Sequence, residues 1–258
     1  MKSAYVVGSI DVAELALWAF FLFFLALVFW LRREDRREGY PLEDEMNGFI
    51  ETVGGPLSTA LPKTFHLPFG RGSVSYPLPR TEGREPVDIA AKRYENFAGA
   101  PYVPTGNPLV DGVGPASYAN RAKWPDQDAH GRARIVPLST EDHISVWKGG
   151  PDPRGMKVTA ADGKIAGTVT DLWIDRAEHQ VRYLTVETTS GKHVLAPMAM
   201  ATVSAAGVTI DAINAADYDA VPQLESATEI TRYEEERVIG YFGGGYLYAN
   251  AGRQEPIL

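Results

Sequence analysis

The chain has 258 residues, a net charge of −8 and no cysteine. Its acidic balance argues against nucleic acid as the main partner, which demands a basic face, and the lack of cysteine excludes thiol catalysis, disulfides, iron–sulfur ligation and cysteine-based zinc sites. The five histidines, His66, His130, His143, His179 and His193, show neither HExxH nor close-paired spacing, so a metal site built by this chain alone is not expected.

The first element is apolar. Leu15 to Leu31 holds no charge, Gly or Pro. Counted from Val12 the segment runs about 20 residues, with one acid, Glu14, near its start; at 1.5 Å per residue that matches a hydrocarbon layer about 30 Å thick. The buried helix of a soluble domain would show a polar stripe, and none is present. A signal peptide would have a shorter apolar core and a small-residue cleavage site after it. Here Leu31-Arg32-Arg33-Glu34-Asp35-Arg36-Arg37 follows instead, a stop-transfer flank. A single permanent span is expected over 12–31.

Four arginines follow the span and only Lys2 precedes it, so residues 1–11 are expected outside and everything after Arg32 inside. Trp18 and Trp30 lie toward opposite ends, as an aromatic belt requires. Arg32, Arg33, Arg36 and Arg37 either set topology alone or also hold anionic lipid headgroups, each contact worth about 1 kcal/mol. A lone apolar helix has no polar pathway of its own. The chain therefore reads as an anchor, or as one helix of a larger bundle.

Residues 38–153 hold 15 of the 18 prolines, and no stretch keeps a helical period beyond about two turns. Aromatic residues recur there nonetheless, among them Tyr40, Phe65, Phe69, Tyr76, Tyr94, Phe97, Tyr102, Tyr118 and Trp124. That composition differs from a disordered linker. Residues 38–110 fit a strap laid over a partner protein, since proline lowers the entropy lost on docking; the alternative is a flexible tether. Short strands are expected at Thr64–Leu67 and Ser73–Tyr76, with Gly70 and Gly72 in the turn.

From about Arg134 the pattern is compact β: Arg134–Leu138, Met156–Thr159, an Asp162-Gly163 turn, Ile165–Ile174, Val181–Thr188, His193–Pro197 and Gly207–Ile213. About six short, closely spaced strands predict a small closed or nearly closed barrel. Ser226 with Glu229 forms a capping-box pattern for a helix over Glu229–Tyr241, which Gly243-Gly244-Gly245 is expected to stop.

Catalytic motifs are missing: there is no GxSxG, P-loop, dinucleotide fingerprint or EF-hand loop, and proline breaks the Gly112-Val113-Gly114-Pro115 run. Two groups of ionisable residues remain. One is Asp126, Asp128 and His130, with Arg132 and Arg134 close by; the other is Asp171, Asp175, Glu178 and His179. Carboxylates and imidazoles at hydrogen-bond spacing can pass protons through water, and the same residues also serve simply as a soluble surface, paired with Arg176 or Arg182.

Four separated stretches carry a resemblance. Leu31-Arg32-Arg33-Glu34-Asp35-Arg36-Arg37-Glu38-Gly39-Tyr40-Pro41-Leu42 after a single span, Pro62-Lys63-Thr64-Phe65 with Leu67-Pro68, Pro104 through Gly112 to Tyr118, and Gly167-Thr168-Val169-Thr170-Asp171-Leu172-Trp173-Ile174-Asp175 resemble, in this order, the H subunit of the purple-bacterial photosynthetic reaction centre. The resemblance implies a single transmembrane helix, a periplasmic N-terminus and an extended strap over 32–133. It also implies a cytoplasmic PRC-barrel-type, mainly-β domain over 134–258 with a C-terminal helix, in the photosynthetic, intracytoplasmic inner membrane.

The same resemblance implies a non-catalytic partner of the L and M subunits, which themselves hold bacteriochlorophyll, bacteriopheophytin, quinones and a non-haem iron. A cytochrome subunit and a light-harvesting ring are compatible with it. Implied roles are stabilising L and M, shielding the quinone region and carrying protons to the secondary quinone. The family's Asp-x-His-x-His surface stretch falls on Asp128, His130 and Arg132, arginine replacing the second histidine, and its deeper acids fall on Asp175 and Glu178. Arginine does not release a proton near neutral pH, so uptake would rest on Asp128 and His130. The alternative from another class is a membrane-tethered PRC-barrel module recruiting a soluble partner. A tethered hydrolase lacks any nucleophile and base.

Overall fold

The computed structural model describes residues 5–7, 10–38, 40, 42–50, 60–77, 90–109, 111 and 121–253. The glycine-proline motif at 112–118 lies outside them. Two compact units form, Met1–Pro86 with Glu95–Ala100, and Val87–Tyr94 with Pro101–Leu258; the division falls inside the stretch expected to form one strap.

In the first unit, β1 (Tyr5–Val7) pairs with β2 (Ile10–Asp11), and α1 runs over Val12–Asp35 with no buried residue. Asp11 caps the helix, its Oδ1 accepting the Glu14 N–H at 2.8 Å. Arg32 and Arg33 occupy the last turn, where cations suit the negative end of the helix dipole. The helix is long and apolar enough to cross a membrane and extends four residues beyond the expected span. Further on, β3 (Lys63–His66) and β4 (Ser73–Tyr76) form an antiparallel hairpin near the expected positions.

The second unit opens with a hairpin the sequence did not announce, β5 (Ala91–Arg93) with β6 (Tyr102–Pro104). Its body is one seven-stranded sheet of β7 (Ile135–Pro137), β8 (Lys157–Thr159), β9 (Ile165–Asp175), β10 (Gln180–Thr188), β11 (His193–Pro197), β12 (Thr202–Ser204) and β13 (Gly207–Thr209). The path runs β11-β10-β9-β8-β13-β12, antiparallel except at β13–β8. β9 is the spine: β8 pairs with its first half, β7 with its end and β10 with nearly all of it.

Closure of a barrel is not observed: β11 and β12 end the path without pairing to each other. A helix does part of that work. α2 (Arg232–Tyr248) packs against β11 and, through Gly245, against Ala212 and Ile213 just past β13. The core gathers Val158, Leu172, Leu184, Val186, Val208, Ile210 and Phe242, with Tyr218 edge-on to Phe242 at 5.7 Å between ring centres.

Two expectations for the tail are corrected. The capping box is Thr231 with Glu234, not Ser226 with Glu229. Both match the pattern, but only Thr231 with Glu234 is in phase with Val238, Tyr241, Phe242 and Gly245, which together with Glu234 form the face α2 buries. The triple glycine lies inside α2 and does not stop it. Glycine costs about 1 kcal/mol in a helix interior, yet a Cβ on Gly245 would sit 2.3 Å from Ile213 Cγ2 and 2.4 Å from the Ala212 carbonyl oxygen. Contact distance selects glycine there.

Candidate functional site

Asp175 ends β9 between two neighbours, opposite Ile135 of β7 and Gln180 of β10, and that double flanking buries it. A buried carboxylate needs a cation and donors. Arg134, one residue before β7, donates from Nη2 to Asp175 Oδ2 at 2.6 Å and from Nε to Oδ1 at 3.3 Å. The backbone N–H groups of Ala177 and Glu178 donate to Asp175 Oδ1 at 2.8 and 3.1 Å, shaping the β9–β10 loop. Burial alone would raise the Asp175 carboxyl. The Arg134 bonds and these two N–H groups outweigh it and hold the group below the ordinary aspartate range.

The loop that Asp175 shapes displays Glu178, whose side chain remains 54% exposed. Arg134 Nη2 also donates to Glu178 Oε1 at 3.0 Å, and Nη1 to Asp126 Oδ2 at 3.4 Å. One guanidinium thus gathers three carboxylates. It responds with a raised pKa, chiefly from the Asp175 bond. Arg176, weighed from sequence as a partner for these acids, pairs instead with Glu141.

Asp128 and His130 lie on the tight turn between Asp126 and Arg134, whose base is closed by the Arg134 N–H donating to the Asp126 carbonyl at 2.8 Å. Asp128 Oδ1 accepts the backbone N–H groups of His130 and Arg132 at 2.8 and 3.0 Å, and Oδ2 accepts Arg132 Nε at 2.9 Å. Gly131 supplies the left-handed backbone the turn needs, at φ 79°. Those bonds, the Arg132 N–H first, hold Asp128 down at about 2. At pH 7 a carboxyl at that value is protonated roughly once in 100,000 molecules. Asp128 is a turn-former that stays charged, and Arg132 is its clamp. His130 stands exposed at the tip. Among the described residues no hydrogen bond joins the Asp128–His130 pair to Glu178.

A residue that sequence reasoning missed is Glu235 on the first turns of α2. It accepts the Tyr183 hydroxyl at 3.0 Å, and burial raises its carboxyl above the ordinary range, with the nearby Asp126 charge adding to the rise. Glu235 is therefore a part-buried carboxyl near the Arg134 cluster whose protonated form is favoured by its surroundings. The only signal in the sequence was its neighbour Glu234, whose phase marks the buried face.

A family model for the photosynthetic reaction centre H-chain N-terminal region matches residues 4–140, and one for the PRC-barrel domain matches residues 148–216. The chain belongs to the photosynthetic reaction centre H-chain family. It is a structural reaction-centre subunit of the kind that associates with the L and M subunits, with a mainly-β PRC-barrel region and a helix fit for a single membrane pass. In this H chain the first match covers α1, the short strand pairs β1–β2, β3–β4 and β5–β6, and β7, and the second covers β8 to β13. The Arg134 cluster joins elements from both, since Arg134 lies in the first and Asp175 and Glu178 in the second. No group of three or more His, Cys, Asp or Glu side chains is placed to hold a metal among the described residues.

At the helix end the four arginines are not equivalent. Arg32 and Arg33 stand on the last turn and Arg36 lies over the Tyr40 ring at 5.5 Å. Arg37 is engaged by protein, donating to the Glu34 carboxylate and to the carbonyls of Leu61 and Tyr76.

Proposed function

We propose that this H chain caps the L and M subunits as a non-catalytic component of the photosynthetic reaction centre, shields the quinone region they hold from water, and helps carry protons to the secondary quinone. In this reading residues 1–11 are periplasmic, 12–31 span the photosynthetic inner membrane, 32–133 lie on the partner subunits and 134–258 are cytoplasmic. The arginines after the span favour that orientation, with Arg32, Arg33 and Arg36 nearest the lipid headgroups. Bacteriochlorophyll, bacteriopheophytin, quinones and non-haem iron are assigned to the partner subunits.

The observation that carries the proton-delivery reading is the gathering of Asp175, Glu178 and Asp126 on Arg134. Reduction of a quinone takes up two protons at a site closed to bulk water, so groups that collect and pass protons are needed on the face leading to it. Asp175, Asp128, Glu178 and His130 then divide the work. Asp175 and Asp128 stay ionised and shape their loops, keeping negative charge where cations and protons collect. Glu178 and His130 are the exposed groups that exchange protons with water, and Glu235 extends the set inward.

Replacing Glu178 with Gln in the assembled complex tests the reading. Proton uptake coupled to transfer of the second electron to the secondary quinone is expected to slow, while primary charge separation stays intact. Unchanged uptake kinetics would overturn it.

A further inference from the structure

From 52 to 81 the sequence runs without a single Asp or Glu, in a chain that carries 33 of them. The β3–β4 hairpin sits at the centre of that stretch. No residue of β3 is buried, and Leu61, Phe65 and Phe69 are exposed. The Lys63 ammonium lies 5.4 Å from the centre of the Phe65 ring and the Arg71 guanidinium 5.8 Å from that of Phe69. Phe69, at the turn, has a φ of 60°, a left-handed conformation that a bulky side chain rarely adopts. A half-exposed phenylalanine is thus held at the tip.

Arg37 sets the position of this hairpin. Its Nη1 donates to the carbonyls of Leu61 at 2.7 Å and Tyr76 at 2.9 Å, which flank the open end of the hairpin, while Nε and Nη2 hold the Glu34 carboxylate in the last turns of α1. The Arg37 side chain is only 12% exposed. A helix of 24 residues is about 36 Å long, and the hydrocarbon layer takes about 30 Å of it. Arg32–Asp35 and the hairpin base tied to them therefore stand at the headgroup layer. Strand β3 itself is only about 13 Å long.

We propose that the 61–76 hairpin is a second membrane contact of this chain, in which Leu61, Phe65 and Phe69 enter the boundary between headgroups and acyl chains while Lys63 and Arg71 hold anionic phospholipid headgroups. Apolar side chains with cations beside them, and no acid to be repelled, are what a negatively charged leaflet attracts. The hairpin's continuity with the span, through one well-covered guanidinium, selects lipid over a distant partner. The proposal rests on α1 being membrane-embedded and not on proton delivery, and it sets 61–76 apart from the rest of 32–133, which is assigned to the partner subunits.

Because the chain has no cysteine, single labels test it on the full-length protein. Ser73→Cys marks the exposed end of β4 without removing an anchoring side chain, and Leu22→Cys marks the span. Each is labelled with a fluorophore and reconstituted into vesicles of phosphatidylcholine, alone or with equimolar phosphatidylglycerol. Quenching by bromine-labelled lipid is compared with quenching by aqueous iodide. With phosphatidylglycerol, lipid quenching is expected at both positions. Lys63→Gln and Arg71→Gln are each expected to shift position 73 toward iodide about fivefold in the equilibrium. A label at 73 that stays iodide-accessible and untouched by lipid while position 22 is quenched by lipid overturns the proposal and leaves the span standing. If that label becomes shielded from both quenchers only when L and M are bound, the hairpin docks protein, and the proposal again fails. Absence of lipid quenching at 22 removes span and hairpin contact together.

Discussion

The hairpin at 61–76 and the hairpin made by β9 and β10 are both antiparallel and turn-closed, yet they are held in different ways. β9 and β10 place Leu172, Leu184 and Val186 in a core with essentially no exposure, so hydrophobic burial holds them and the charged groups at their loop are positioned as a result. In the 61–76 hairpin β3 is exposed throughout, β4 alternates exposed and half-buried residues, and Arg37 at its base ties it to α1. A strand pair of that kind is marginal alone in water. Leu61, Phe65 and Phe69 stay exposed among the described residues.

The largest effect that sharpens this contrast is expected at Gly245→Val. The new side chain would collide with Ile213 and the Ala212 carbonyl, destabilising the β domain by about 3 kcal/mol or more, read as a lower melting temperature. Arg134→Ala comes next. It leaves Asp175 buried without its cation, with an expected cost of about 3 to 5 kcal/mol if the carboxylate stays charged and less if it takes up a proton. Thr231→Ala removes the α2 cap and is expected to cost about 1 kcal/mol, measured by chemical denaturation. Arg37→Ala is the smallest on the same scale. It should leave the melting of the β domain unchanged while hydrogen exchange at 63–66 and 73–76 accelerates. A lower β-domain melting temperature in that variant would break the distinction drawn between the two hairpins.

Acid should act on the β domain with a sign fixed by Asp175. Its folded-state pKa is lowered, so its contribution is complete above the ordinary aspartate value of 3.8 and is lost as pH falls through the lowered value. Glu235 acts oppositely: its raised value makes its contribution complete below 4.5 and lost as pH rises through the folded-state value. Asp175→Asn is expected to flatten the acid limb of a stability–pH curve, and Glu235→Gln the limb above 4.5.

Much of this was legible from residues alone because the signals were local. The span follows from an uninterrupted apolar run, the strands from alternation between turn residues, and Asp175 and Glu178 from their place at a strand end. Where expectations failed, two local patterns competed and packing chose. Ser226 and Thr231 both begin a capping box, and only the register of Val238 and Phe242 decides between them. Three successive glycines read as a stop until Ala212 and Ile213 occupy the place of a side chain.

The sequence by itself determined the anchor, the arginine flank, the order of the β elements and the acids at the end of β9, since each depends on neighbours within a turn or two. Only the tertiary structure decided that the sheet stays open with α2 against β11, that Arg134 rather than Arg176 gathers those acids, and that Glu235 is raised. Each of these depends on groups brought together from distant parts of the chain, whose burial and charge no local pattern encodes.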